Sequence, residues 1–207
     1  MTIRILALFC VVLSLALASV AMAMTTYEYS GNNYLVILDN TPPAGTTYTT
    51  AMSVDGSFTL ASSLASNLAI TDIRASVLAY SFTDGAHTLT ETNSTILDFR
   101  IATDGTGTIS DWSLIFEDRP PLGPGDSAGD QSVVITTATA SATVEDAAAL
   151  RECSGVAGGV GGTCGQVGQD SGSIRNNPGS WTLIPEPSAA LLFALGLGVV
   201  GWRFRRG

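Results

Sequence analysis

Three Asp-Gly pairs, Asp55-Gly56, Asp84-Gly85 and Asp104-Gly105, punctuate this chain of 207 residues. Each stands beside short runs rich in threonine, β-branched and aromatic residues. Such a pair is a strong hairpin signal, because both central residues of a type I′ turn need positive φ. No stretch sustains a helical period. The pattern predicts an all-β fold, an antiparallel β-sandwich of jelly-roll or Ig-like type. The pairs lie 29 and 20 residues apart, which is hairpin punctuation and not a solenoid period.

The runs read as follows. Strands are expected over 25–31, 46–54, 57–64, 73–82, 87–92, 96–103, 108–117, 131–145 and 181–184. Tyr34 to Leu38 is a dense apolar run, consistent with a strand buried on both faces. Leu60, Leu64 and Leu68 have helical spacing, so a turn or two of helix is possible there. Asp146 to Arg151 reads as another helical turn. The stretch 118–130 carries Pro120, Pro121, Pro124 and three glycines, so it reads as a long exposed loop.

Both ends of the chain have a different character. Arg4 followed by an apolar run from Ile5 to Ala18, then Ala21-Met22-Ala23, has the form of a secretory signal peptide helix. Ala21 and Ala23 supply the small residues that signal peptidase requires, and cleavage is expected after Ala23. At the other end, Pro185-Glu186-Pro187 precedes an apolar segment from Ala189 to Trp202, and Arg203, Arg205 and Arg206 follow. As a helix those fourteen residues reach roughly 21 Å, short of the ~30 Å hydrocarbon layer. The segment reads as a short transmembrane helix with a cytoplasmic arginine stop. Gly196, Gly198 and Gly201 weaken it, which suits a temporary hold. The expected organisation is a signal peptide at 1–23, an exported body at 24–184 and a C-terminal signal at 185–207.

The body carries 17 acidic residues against five arginines, and the chain has no lysine. Phosphate backbones repel such a surface, so nucleic acid is not an expected partner. Two of the three cysteines, Cys153 and Cys164, lie in the body. In an exported chain they are expected to form a disulfide. Closing that glycine-rich loop would stabilise the fold by about 3 kcal/mol in the chain-entropy account.

Residues that carry chemistry are sparse. His87 is the lone histidine, and it follows a turn signal. Asp98, Asp104, Asp111, Glu117 and Asp118 gather in one expected hairpin. Paired carboxylates suit glycoside hydrolysis or calcium, and Asp104 and Asp111 are the weak calcium candidates. Threonine pairs at 88/90, 106/108 and 137/139 suit a solvated strand face, and rows of them can also bind ice. No catalytic residue, metal or cofactor is assigned, and no enzyme is expected.

The order Pro-Glu-Pro, apolar segment, arginine cluster closely resembles the PEP-CTERM sorting signal, from about Ile184 to Gly207. The resemblance implies that an integral-membrane exosortase recognises Pro185, Glu186 and Pro187 and processes the protein for release or surface attachment. It also implies export through the Sec translocon, cleavage by signal peptidase and a transient stay in the inner membrane. The expected role is structural or adhesive within exopolysaccharide or biofilm at the cell surface or extracellular matrix. The alternatives are a surface module binding calcium, polysaccharide or ice, and, further off, a secreted hydrolase.

Overall fold

The turn chemistry and alternation produce two antiparallel sheets in a computed structural model. It describes residues 24–39, 47–118, 130–139, 145–157 and 163–184, without the side chains of 154–169. The expected signal-peptide and C-terminal helices lie outside the described residues. So do Ala21, Ala23, Pro185, Glu186, Pro187, Arg203, Arg205, Arg206 and most of the 118–130 loop.

Among the described residues, the five-stranded sheet is ordered β12 (Ser180–Ile184), β1 (Thr25–Ser30), β3 (Asp55–Leu60), β5 (Val77–Thr83), β6 (Thr88–Thr90). The seven-stranded sheet is ordered β2 (Val36–Asp39), β11 (Thr163–Arg175), β10 (Glu145–Ala157), β9 (Gln131–Ala138), β8 (Ile109–Asp118), β7 (Ser94–Thr103), β4 (Thr71–Asp72). Helical structure is confined, among these residues, to a 3-10 turn at Arg74–Ser76.

Inner faces follow the period-two rule. Tyr27, Tyr29, Phe58, Tyr80 and Phe82 from one sheet meet Phe99, Ile101, Trp112, Leu114 and Phe116 from the other in a single buried core. Ring pairs cross between the sheets. Phe58 and Phe99 centroids are 5.0 Å apart, Phe82 and Phe116 4.5 Å, and Tyr29 and Trp112 5.6 Å. Aromatic side chains bury large areas, and such pairs add about 0.5–1.5 kcal/mol beyond burial. The core therefore rests on a few bulky rings, which a body rich in Thr, Ser, Gly and Ala can afford.

Several local expectations are overturned. Asp55-Gly56 is not a turn but the start of β3, paired with Thr83 and Phe82. A Cβ on Gly56 would lie 2.4 Å from the Phe82 ring, so this glycine makes room for an aromatic packed flat against the sheet. The other two turns hold. Gly85 has φ +92 and Gly107, two residues beyond Asp104-Gly105, has φ +85. The apolar run at 34–38 is not a doubly buried strand. Tyr34 is buried, but β2 is an edge strand on which Val36 and Leu38 are more than half exposed. Residues 61–70 contain no helix, and Asp146 to Arg151 is not a helical turn but part of β10. There Asp146, Ala148 and Leu150 point inward at alternate positions, so packing against β9 and β11 overrides alanine's helical preference. The expected cysteine loop is instead the β10–β11 hairpin, strand-paired through Ala157 and Thr163.

Candidate functional site

The closing strand β12 is the last paired element before the C-terminal signal. Its register on β1 sets Ser180 opposite Ser30, Trp181 opposite Tyr29, Thr182 opposite Glu28, Leu183 opposite Tyr27 and Ile184 opposite Thr26. Among the described residues it has no partner strand on its other side. Pro185 has no N–H to extend the ladder, and it biases Ile184 toward extended backbone. The described strand ends at Ile184, the residue before Pro-Glu-Pro in sequence.

The two halves of β12 are held unequally. Asn176 turns the chain at φ 56, and Asn32 Nδ2 donates to the carbonyls of Asn177 and Pro178 at 3.1 and 2.9 Å. Gly179 passes so close that a Cβ there would meet the Ser30 carbonyl oxygen at 2.1 Å. Its N–H donates to the Tyr29 hydroxyl at 2.8 Å. Trp181 then wedges among Tyr29, Phe58, Phe82 and Trp112, with centroids 4.9 to 6.3 Å away. Beyond Trp181 the anchoring fades. Leu183 is 54% exposed and Ile184 41%.

Beneath Trp181 a buried polar network ties the sheets together. The Tyr29 hydroxyl donates to both oxygens of Asp146 at 2.8 Å. Trp112 Nε1 donates to Thr137 Oγ1 at 2.9 Å. Burial raises the Asp146 carboxyl above the usual carboxylate range, against the hydrogen bonds from Thr137, Tyr29 and Gly179. Burial and the Asp146 charge raise the Tyr29 phenol. A second network lies at the Asp84 turn, where Tyr48 Oη donates to Asp84 Oδ2 at 2.8 Å and the His87 N–H donates to Oδ1 at 2.6 Å. Burial and the Asp84 charge likewise raise the Tyr48 phenol. The sequence offered no sign of these tyrosine–aspartate pairs, since the partners are 117 and 36 residues apart.

The expected carboxylate cluster does not converge. Asp98 is bound by Arg100 and Ser113, at 2.6 and 2.7 Å. Burial opposes ionisation there, but those donors hold its carboxyl below the usual range. Asp104 closes the β7–β8 turn, accepting from Thr106 and Thr108, and these bonds lower its carboxyl. Asp111 accepts from Thr139 Oγ1. Asp118 accepts from Ser132 Oγ at 2.7 Å, and Glu117 is buried beside it. Each of these four aspartates is taken up by a local donor. Among the described residues no group of three or more His, Cys, Asp or Glu side chains is placed to hold a metal ion.

His87 Nδ1 lies 3.2 Å from Asp84 Oδ2. With the His87 N–H bond to Asp84 Oδ1, this contact ties the ring and backbone of His87 to the Asp84 turn. Cys153 is buried and lies opposite Gln166, while Cys164 lies opposite Val156 across a register shift. The two cysteines are thus diagonal neighbours in one hairpin. Cys153 takes part in a disulfide. The Cys164 side chain lies outside the described residues.

A family model, the PEP-CTERM protein-sorting motif, matches residues 183–206. The chain carries this motif, and the match begins at Leu183, inside β12. No curated protein and no solved structure matches the chain. The motif supports an exported surface protein with an exosortase as its processing partner.

Proposed function

We propose that this chain is a structural or adhesive protein of the cell surface or extracellular matrix. An exosortase delivers it by acting on Pro185, Glu186 and Pro187. Its segments are a signal peptide at 1–23 ending in Ala21-Met22-Ala23, a β-sandwich body of jelly-roll or Ig-like type, and a signal at 185–207. Arg203, Arg205 and Arg206 stay on the cytoplasmic side and hold that signal's apolar segment in the membrane until processing. The observation that carries the reading is the sorting motif joined without a spacer to a closed all-β body. Mass spectrometry of material from the cell exterior is the test. The expected product begins at Met24 and lacks Arg206-Gly207. An intact C-terminus on protein confined to the inner membrane would instead identify a permanent tail anchor.

A second reading, a polysaccharide-binding body, is supported by the outer face of the five-stranded sheet. Register aligns Ser30, Asp55, Thr83 and Thr88 in one row, and Thr182, Glu28, Ser57, Ser81 and Thr90 in the next. They border a shallow depression over β1, β3, β5 and β6. Such a face offers many hydroxyl donors and acceptors to a glycan. Retarded migration in a gel containing the host's exopolysaccharide is expected on this reading, and unchanged migration rejects it.

A further inference from the structure

We propose that exosortase processing requires Thr182–Ile184 to unpair from β1, so that the end of β12 passes from the sheet to the enzyme. The inference rests on the exosortase reading above. Three observations carry it. The sorting motif starts at Leu183, two residues inside the folded body. No spacer separates Ile184, paired with Thr26, from Pro185. The strand divides energetically at Trp181, which packs among four rings, whereas Leu183 and Ile184 are exposed by 54 and 41%.

Enzymes that read extended peptides do so largely through main-chain hydrogen bonds, with side chains entering alternate pockets. In β12 one flank of the main chain is already bonded to β1, about 4.8 Å away. A membrane-embedded active site that encloses Pro185 and reaches Leu183 therefore competes with β1 for the same backbone. Peeling three residues costs ladder hydrogen bonds but little apolar burial. Peeling a fourth would pull Trp181 from the core. Opening of this kind belongs to the low-cost local unfolding that edge strands undergo. Trp181 is thus the stop that lets the terminal residues leave while the body stays folded.

The test locks the strand. Residues directly opposite in an antiparallel ladder have Cα atoms about 4.5–5.5 Å apart, within disulfide range. Full-length T26C/I184C, assayed in membranes containing the exosortase, should be processed at least tenfold more slowly oxidised than reduced. The control T26C/T59C, which joins β1 to β3 at another direct pair, should be unaffected. A further variant inserts a second Thr-Leu-Ile before Pro185 in the clamped chain, and this unpaired copy should restore processing without reductant. Equal processing of the clamped chain with and without reductant, or no rescue by the insertion, would overturn the inference while leaving the exosortase reading intact. Failure of the unmodified chain to be processed at all would overturn both.

Discussion

The Tyr29 hydroxyl lies 2.8 Å from both carboxylate oxygens of Asp146, joining strands 117 residues apart in different sheets. The same oxygen accepts the Gly179 N–H, so one phenol couples the two sheets and the approach to β12. Tyr29→Phe keeps the ring and removes these bonds, leaving a buried carboxyl short of a donor. The expected loss is about 1–3 kcal/mol of stability, read by urea denaturation with an unchanged m-value.

The same site sets a pH dependence. Asp146 has a folded-state pKa above its unfolded value. Its contribution is therefore fully present below the unfolded carboxylate range and lost as pH rises through the folded value. Asp98 works oppositely. Its folded pKa is lowered, so its contribution is present above the unfolded value and lost as pH falls through the folded one. Thermal melts across the acidic range should show Asp146→Asn losing less stability than the parent as pH rises. Asp98→Asn should lose less as pH falls. Identical pH profiles for the parent and Asp146→Asn would remove this role of Asp146.

Gly179→Ala should destabilise by about 1–3 kcal/mol, because the added methyl meets backbone at 2.1 Å and backbone cannot swing aside. Gly105→Ala is the matched comparison. Its nearest neighbour is a side-chain oxygen at 3.6 Å, and the change should stay within about 0.5 kcal/mol. Calorimetry of both variants separates close packing from a general effect of replacing glycine.

For the cysteines, alkylation of the mature exported protein should label neither Cys153 nor Cys164 until a reductant is added. Loss of the bridge in Cys164→Ser should lower stability by about 3 kcal/mol in the chain-entropy account. Labelling of both thiols without reductant would rule out the bridge.

Much of the fold was legible because its signals are local. Gly85 and Gly107 have the positive φ that turn chemistry demands. The alternation matches the inner and outer faces over Asp98–Ile101 and Trp112–Phe116, while Leu97, expected on the face of Phe99 and Ile101, is exposed where the ladder shifts register. Where the reading failed, the deciding contact was distant in sequence. Gly56 reads as a turn until Phe82 is placed on it. The alanines after Asp146 read as helix until β9 and β11 flank them. The hairpin carboxylates read as a cluster because sequence proximity hides the donors, Ser113, Ser132 and Thr139, that take them up one by one.

By itself the sequence determined the all-β class, two of the three Asp-Gly turns and the sorting motif, since each rests on residues a few positions apart. Only the tertiary structure decided which carboxylates are buried against tyrosines. It also decided that the final strand lies against the first, with Ile184 beside Thr26. Those outcomes depend on chain segments that meet only when two sheets close over a shared aromatic core. That closure pairs Leu183 and Ile184, the first two residues of the sorting motif, with the first strand.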